Sequence, residues 1–409
     1  CAGLLCMFVL IMGKYTYWQI GTRTGGIQIA YSFDAAKEYP FANADTQNDV
    51  QMGKLQSTTV KILEKLIQKK ANISYWCTEG LKGFQLVAVR AKKRIDKLIG
   101  LDMTNSMGIL DDSTDVVVSF DGEWLGVAYE KSDVSAPVQK LIAFAQEMQA
   151  EGRNVLVFEN PHKHIDRIDF KDYYDENTVA VNTALRAAGV HVLDLADYIA
   201  AHGIDPKTIF FKTDHHWLPQ SGLWANGLLC DYLNEHFGYH IDTSVFELSH
   251  YEVETLKNQF LGSYGRKVTE VYTIRDDFDI LTPTYAQDIT VFNSAYCKTT
   301  DETRRGTITE TLYNYEVLKM DDDVRSDYSL YGYGDQALIM AHNNNLHDGS
   351  SLLLIKRSFA DAQIPTLTQA VEDFYAIDLR GFNGSLRTFI KKKNPQCGNF
   401  NSAIRQNLK

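Results

Sequence analysis

An aspartate, two histidines and a tryptophan stand side by side in KTDHHWLPQSG, residues 212–222, directly after the apolar run TIFF at 208–211. Asp214 and His216 are two residues apart, so the carboxylate can reach Nδ1 of the imidazole and leave Nε2 free. An imidazole held in this way is a general base for a serine hydroxyl, which keeps its proton at neutral pH without one. The same acid and histidines can also act as metal ligands.

A candidate serine lies further along the chain, in IKRSFADA. Ser358 follows the predicted strand SLLLIK at 351–356 and precedes a predicted helix at 360–371. A hydroxyl at such a turn is exposed at the sheet edge, beside free N–H groups that can stabilise an oxyanion. Serine is also a frequent helix N-cap. Only its combination with the Asp-x-His pair favours a nucleophilic serine over a plain cap.

The elements around these residues alternate between strand and helix, which is typical of a parallel α/β sheet with crossover helices. Functional groups gather at the carboxyl ends of the strands in such a sheet. A hairpin with an Asp-Gly turn is expected to precede them. Strands are predicted at 116–120, 154–160, 190–195, 208–211, 351–356 and 374–379, and helices at 135–152, 173–188, 195–202, 221–237 and 360–371.

The composition is that of a folded protein, with 409 residues, of which 44% are hydrophobic. The net charge of −11 argues against a nucleic-acid partner, because binding phosphate backbones requires clustered Lys and Arg. The six cysteines form no CxxC pair, which argues against a structural zinc site. One disulfide among the last four cysteines, or none, remains compatible with their spacing.

The chain divides by composition into three predicted regions. Residues 1–13 form an apolar run too short to span a bilayer. We interpret it as the remnant of a signal peptide or membrane anchor, with a buried strand or helix as the alternative. Residues 14–112 are predicted to be an N-terminal helical region. Residues 113–409 are predicted to form the catalytic domain, with a β-rich insertion at about 245–335.

Two blocks of the sequence resemble the DHHW family, bacterial extracytoplasmic relatives of the SGNH hydrolase-like, alginate-type O-acetyltransferases. The first is KTDHHWLPQSG, and the second is LLLIKRSFADAQIPTLTQAVEDFYAIDLR at 352–380. FLGSYGRK and YGYGD are also similar to that family. The resemblance implies an SGNH-hydrolase-like parallel sheet flanked by helices. The Asp/His block precedes the serine, as in circularly permuted members.

The resemblance also implies roles for individual residues. Ser358 would be the nucleophile, His216 the general base and Asp214 the acid that orients it. From its place in the permuted order, Asn160 in VFENPHKH is expected to serve the oxyanion, with Lys163 beside it.

Four further positions carry weaker expectations. Arg380, together with the following glycine, would occupy the position of the family's glycine loop. Arg357 stands where the family commonly has an Asp, and a cation there can bind an acidic sugar or lower the pKa of the serine. His215 is expected to hydrogen-bond the turn, and Trp217 to pack under the catalytic imidazole.

The resulting hypothesis is O-acetylation, or O-deacetylation, of an extracellular or cell-surface polysaccharide through an acetyl-Ser358 intermediate. It requires no cofactor and no metal, and its partners would be the polysaccharide and a membrane-bound protein that supplies the acetyl group. One alternative is an inactive carbohydrate-binding protein on the same sheet, using the Tyr-rich segment 251–333. The other is a DHH-type metal-dependent phosphoesterase, whose upstream Asp-x-Asp motif this chain lacks.

Overall fold

The computed structural model describes residues 124–401, with gaps at 128, 130, 165–171, 272, 296–300, 321–324 and 396, together with residues 90, 94, 117 and 118. The apolar segment 1–13 and the predicted helical region 14–112 therefore lie outside the described residues, apart from Arg90 and Arg94. Within the described part, none of the helices combines the length and apolar character needed to cross a bilayer.

Strands and helices alternate along most of the described chain. The strands are β1 (Val117–Val118), β2 (Leu125–Gly126), β3 (Asn154–Glu159), β4 (His191–Asp194), β5 (Tyr251–Phe260), β6 (Asp276–Pro283), β7 (Ile289–Ala295), β8 (Asp301–Gly306), β9 (Gln336–Asn343), β10 (Ser351–Lys356), β11 (Asp373–Asp378) and β12 (Cys397–Asn401). The helices are α1 (Ser135–Ala150), α2 (Tyr174–Ala187), α3 (Leu195–His202), α4 (Pro219–Phe237), α5 (Ser263–Val268), α6 (Ile308–Leu312), α7 (Ile364–Leu367) and α8 (Leu386–Lys393).

The main sheet of the described chain has eight strands in the order β4-β3-β12-β10-β11-β9-β7-β8. The five strands from β4 to β11 pair in parallel. The pairs β11–β9, β9–β7 and β7–β8 are antiparallel. The sequence predicts a parallel sheet. The observed sheet is mixed, because three of its strand pairs are antiparallel. The segment predicted as a β-rich insertion supplies β7 and β8 to this sheet, while β5 and β6 form a separate two-stranded sheet.

Successive residues of a strand point to opposite faces of the sheet, and β10 follows this rule. Leu353 and Ile355 pack in an apolar cluster that includes residues of α1, α2 and α8. Leu352 and Leu354 pack in a second cluster that includes residues of α3, α4 and α7. The sheet is thus covered on both faces, which makes three layers and explains why β10 is apolar at consecutive positions.

Two elements differ from the sequence predictions. The run 208–211 is not a strand of the sheet, because its pairing is limited to an isolated bridge between Phe210 and Trp217. The predicted long helix at 360–371 is a 3-10 turn at Ser358–Ala360 followed by the short α7. Pro365 lies in the first turn of α7 and has no N–H to donate, so one helix cannot run through this position.

Candidate active site

Ser358, His216 and Asp214 form one hydrogen-bonded chain. Ser358 begins the turn after β10, and its Oγ lies 3.0 Å from Nε2 of His216. Nδ1 of His216 lies 2.6 Å from Oδ1 of Asp214, which also accepts from the His216 backbone N–H at 2.9 Å. Asp214 and His216 are 3% and 8% exposed, so both partners of the imidazole pair are buried. The Nε2 atom is left to face the serine hydroxyl.

The backbone on either side of the Asp214–His216 loop is joined by hydrogen bonds before the chain enters α4. The Phe211 N–H donates to the carbonyl of His216 at 3.2 Å, and the Leu218 N–H to the carbonyl of Ile209 at 2.7 Å. The bridge between Phe210 and Trp217 lies between these two bonds. This pairing turns the loop back on the apolar run that precedes it and fixes where α4 begins.

A buried lysine and a buried aspartate satisfy the backbone of this loop. Nζ of Lys163 donates to the carbonyl oxygens of Phe211, Lys212 and Asp214 at 2.6, 2.7 and 2.9 Å. The carboxylate of Asp276 accepts from the backbone N–H groups of residues 212 and 213 at 2.7 and 2.8 Å. Burial lowers the pKa of Lys163 to about 7, and the carboxylates of Asp214 and Asp276 oppose this shift. Buried backbone groups need partners, so the two side chains hold the loop in one shape.

The segment that enters α5 closes over the other side of Asp214. The Ser263 N–H donates to Oδ2 of Asp214, and the Ser263 hydroxyl lies 2.9 Å from Nδ1 of His215. Gly262 makes this approach possible, because a Cβ at that position would lie 2.3 Å from Cβ of Asp214. Here the chain requires a residue without a side chain.

The electrostatics of the pair favour an ionised Asp214. Burial alone would raise the pKa of Asp214, but His215, His216 and the hydrogen bond from Ser263 outweigh burial and hold the pKa well below its usual value. Desolvation and the neighbouring His216 lower the pKa of His215. A carboxylate that stays ionised keeps the Nδ1 proton of His216 in place, as a general base requires.

Aromatic rings fix the orientation of the His216 ring. The ring of Tyr328 stacks on it, with centroids 4.1 Å apart and planes 12° apart. The Tyr328 hydroxyl donates to the carbonyl of Phe359 at 3.0 Å, next to Ser358. Trp217 is fully buried and packs against Phe359 with centroids 4.9 Å apart. The tyrosine therefore joins the imidazole to the serine turn.

A buried ion pair supports the serine turn. Nζ of Lys356 lies 2.6 Å from Oδ1 of Asp361, and both residues are 2% exposed. The Asp361 N–H donates to the carbonyl of Ser358 at 2.9 Å. Burial raises the pKa of Asp361 to about 6, although Lys356 opposes the shift. The pair joins the end of β10 to the residue three positions after the serine.

The other predicted site residues lie at the same edge of the sheet but are not in the hydrogen-bonded chain. Asn160 directly follows β3 and is 4% exposed, and β12 separates β3 from β10. Arg380 follows β11, where its guanidinium bonds Asp378 at 3.0 Å and Asp335 at 2.8 Å. Arg357 is half-buried. The guanidinium of Arg380 is thus engaged by two carboxylates of the fold.

A cavity opens beside His215 and His216. Its volume of about 330 Å³ is at the small end of the range for ligand pockets. Its walls include both histidines of the loop and two arginines, Arg266 and Arg325. The lining residues are Asp214, His215, His216, Phe260, Leu261, Ser263, Arg266, Arg325 and Ser326. A substrate in this cavity would lie against the loop that carries the general base.

The metal alternative for the same loop has a geometric basis. Ligand atoms of Asp214, His215 and His216 all lie within 4.8 Å of one another. In the described part of the chain no further acidic group joins this cluster. Asp194, at the end of β4, caps α3 by accepting from the Ala196 N–H at 2.9 Å. Two-metal phosphoesterase sites need several hard oxygen ligands, so the loop does not meet that requirement.

Several supporting residues were not predicted from the sequence as parts of the site. Gly262 and Ser263 lie in FLGSYGRK, a stretch that the family resemblance had singled out without a role. Tyr328 and Asp361 carry no local signal, because a tyrosine or an aspartate in these positions is ordinary. Lys356 could have been noticed, since a lysine that ends a wholly apolar strand requires a buried partner.

Two family models match the chain. The model described as DHHW protein matches residues 196–377, which include Asp214, His216 and Ser358. The model described as SGNH hydrolase-like domain, acetyltransferase AlgX, matches residues 120–266, which include Asn160 and the Asp/His loop. The resemblance to the DHHW family and its SGNH hydrolase-like relatives is therefore confirmed. No curated protein matches the chain.

Solved structures of similar fold include two bacterial proteins. One, described as Bacillus cereus PatB1 with sulfonyl adduct, has a TM-score of 0.60 at 18% identity, covering 71% of this chain and 96% of that one. The other, a DHHW family protein from Eubacterium siraeum, has a TM-score of 0.54 at 21% identity, covering 70% of this chain and 89% of that one. At these identities the likeness shows that the fold is shared.

Proposed function

We propose that the protein is a serine-dependent O-acetyltransferase of SGNH type that acts on a polysaccharide. The observation that carries this proposal is the continuous chain from the Asp214 carboxylate through His216 to Oγ of Ser358, at 2.6 and 3.0 Å. The match to a model named for an SGNH hydrolase-like acetyltransferase supports the reaction class.

In the proposed first step, Oγ of Ser358 attacks the carbonyl carbon of an acetyl donor while Nε2 of His216 takes the hydroxyl proton. The bond between the acetyl group and the leaving group then breaks, and His216 returns the proton to the leaving group. In the second step, a sugar hydroxyl gives its proton to His216 and attacks the acetyl-serine. The acetyl group passes to the sugar, and Ser358 recovers its proton. Asp214 holds the Nδ1 proton throughout.

Other residues of the sheet edge receive supporting roles in this proposal. Asn160 would donate to the oxyanion, because its side chain follows β3 at the edge where Ser358 follows β10. Arg357 would attract an acidic group of the acceptor. Because the Asp/His loop precedes Ser358 in the chain, we also propose that the motif order is circularly permuted relative to ordinary SGNH hydrolases.

The cellular setting follows from the family resemblance and is part of the proposal. The protein would act outside the cytoplasm, in the cell envelope. A membrane-bound partner would deliver the acetyl group.

Acylation of the purified protein tests the proposal directly. Incubation with an activated acetyl ester, followed by intact-mass analysis, is expected to give one acetyl adduct per chain. Ser358→Ala is expected to lose the adduct, and His216→Gln to form it about 10⁴-fold more slowly. Ser350→Ala, which precedes the opposite end of β10, is the matched control and is expected to react like the parent. An adduct that persists in Ser358→Ala would contradict the assignment of the nucleophile.

Acceptor experiments separate the reaction classes. A transferase is expected to move the acetyl group to an added oligosaccharide faster than to water, whereas an esterase releases acetate at the same rate with or without the sugar. An inactive carbohydrate-binding protein would show sugar binding in the parent and in Ser358→Ala, with no acetyl adduct in either.

A further inference from the structure

A second cluster of potential metal ligands lies outside the proposed triad, on the segment that leaves β3. It consists of His162, His164 and Asp172, whose ligand atoms all lie within 4.8 Å of one another. Nε2 of His162 lies 2.7 Å from Oδ2 of Asp172, and Nδ1 of His164 lies 3.8 Å from the same oxygen. Three donors of the types that bind zinc thus point at one small volume.

The distances fit a tetrahedral ion. With metal–ligand bonds of about 2.0 Å, two ligand atoms of a tetrahedral zinc site are about 3.3 Å apart. The observed 2.7 and 3.8 Å lie on either side of that separation. Shifts of roughly half an ångström, which side-chain rotation supplies, would bring both pairs to the required spacing.

The carboxylate of Asp172 is oriented by the backbone. Its Oδ1 accepts from the N–H of Tyr129 at 3.1 Å and from the N–H of Tyr174 at 3.0 Å. Oδ2 therefore faces the two imidazoles. Such a division, with one oxygen held by amides and the other directed at an ion, is how ligating carboxylates are usually fixed.

The two imidazoles are held in place by other side chains. Nε2 of His164 lies 3.1 Å from the Asp175 carboxylate, while Nδ1 faces the cluster. A carboxylate on the far nitrogen is the usual outer partner of a metal-bound histidine. The ring of His162 stacks on Tyr174, with centroids 4.1 Å apart, and meets Tyr129 edge-on at 5.1 Å. Its side chain is 8% exposed, so few other orientations are open to it.

We propose that His162, His164 and Asp172 bind one Zn²⁺ ion, with Asp175 orienting His164 and the fourth position open to water. This departs from the sequence prediction of no metal, which rested on the cysteines and on the Asp214 loop. The cluster escaped that prediction because Asp172 is separated from His164 by seven residues of sequence. The proposal concerns binding alone and does not depend on the acyl-transfer reaction.

The site has a structural link to the proposed triad. Lys163 stands between the two histidines, and its ammonium holds three carbonyl oxygens of the Asp214 loop. An ion bound by His162 and His164, the two neighbours of Lys163 in the sequence, would restrict the backbone that carries this lysine. Bound zinc is therefore expected to raise the thermal unfolding temperature of the parent protein.

Cobalt substitution tests the site with a readout other than activity. Metal-free protein, prepared without a histidine tag, is titrated with Co²⁺, and the visible d–d absorption of four-coordinate cobalt is followed while Zn²⁺ displaces it. One ion per chain is expected. His164→Ala, at a half-exposed position, is expected to lose the signal, and Asp175→Asn to weaken binding by about 10- to 100-fold. The control His202→Ala removes an exposed histidine of α3 and is expected to bind like the parent.

Three outcomes would overturn the proposal. The first is the absence of cobalt or zinc binding by the folded parent protein. The second is equal binding by His164→Ala and the parent. The third is loss of the ion in His216→Ala with retention in His164→Ala, which would locate the metal at the Asp214–His215–His216 cluster instead. Circular dichroism of each variant checks that a lost signal does not come from unfolding.

Discussion

Nζ of Lys163 lies 2.9 Å from the carbonyl oxygen of Asp214, so a side chain from the segment after β3 holds the backbone of the general-base loop. Lys163 is 5% exposed and reaches two further carbonyls of the same loop. The position of His216 therefore depends on a residue that contacts neither the imidazole nor the serine.

Replacement of this lysine should loosen the loop. Lys163→Met leaves the carbonyls of Phe211 and Asp214 without a donor, while the carbonyl of Lys212 keeps the N–H of Leu125 at 3.1 Å. Each unsatisfied buried acceptor costs about 1–3 kcal/mol. We expect the free energy of unfolding to fall by about 2 kcal/mol or more, and acylation of Ser358 to slow. Urea denaturation and the rate of adduct formation measure the two effects. Lys140→Met, on the exposed side of α1, is the control. An unchanged urea midpoint in Lys163→Met would contradict the inference that Lys163 holds the loop.

The close approach at Gly262 makes a second prediction. In Gly262→Ala the new methyl group would lie 2.3 Å from Cβ and 2.6 Å from Oδ2 of Asp214, so the chain must shift here and disturb the Asp214–His216 pair. We expect acylation to slow by about 100-fold, because small displacements in a catalytic constellation have effects of this size. Gly227→Ala is the matched control in α4, where a Cβ would meet Phe246 at an ordinary 3.7 Å. Equal acylation rates in the two variants would argue against the close-approach account.

The buried pair beneath the serine turn predicts a non-additive stability effect. Lys356→Met leaves Asp361 as an unpaired buried carboxylate, and removal of one partner of such a pair costs about 3–5 kcal/mol. The double variant Lys356→Met, Asp361→Asn removes both charges and is expected to be more stable than Lys356→Met alone. Urea unfolding of the parent, both single variants and the double variant gives the coupling energy. Additive effects would mean that the two side chains do not stabilise each other.

The raised pKa of Asp361 predicts a particular dependence of stability on pH. Its folded-state pKa is about 6, against an ordinary pKa of 3.8 for an aspartate, so the folded state binds more protons between these values. The contribution of Asp361 is therefore fully present below pH 3.8 and is lost as the pH rises to about 6. Asp361→Asn is expected to lack this slope, which amounts to about 3 kcal/mol at most.

Urea midpoints of the parent and of Asp361→Asn at several pH values between 4 and 7 give the difference directly. Asp214 changes the pH dependence of stability in the opposite direction. Its pKa is held low in the folded state, so its contribution to the free energy of unfolding is lost only in stronger acid. A parent whose advantage over Asp361→Asn grows from pH 4 to pH 6 would contradict the expected sign.

The sequence supports prediction of local relationships. The Asp-x-His spacing and the strand before Ser358 placed three residues at the ends of apolar segments, and these residues lie within hydrogen-bond distance. The bounds of α3 and β10 were predicted from hydrophobic spacing as the structure has them. Such features depend on neighbours a few residues apart, which periodicity records.

Long-range partners could not be predicted in this way. The carbonyls that Lys163 holds lie 48 to 51 residues away, and nothing in the lysine's local sequence indicates them. The run at 208–211 has the composition of a strand, yet its backbone pairs across its own loop at Trp217. β12 was missed because CGNFN lacks the apolar run of its neighbours in the sheet.

The position of β12 has a consequence for biosynthesis. In the described part of the sheet β12 lies between β3 and β10, so the β3–β4 pair is hydrogen-bonded to the serine-bearing strand through residues 397–401. The ribosome completes the Asp/His loop and Ser358 before it makes the strand that joins the two parts of the sheet. Parallel pairing over such sequence distances is slow, so a nascent chain keeps the edges of β3 and β10 unpaired until residues 397–401 have been made. A tag or truncation that disturbs residues 397–401 would act on the assembly of the site without touching any residue in it.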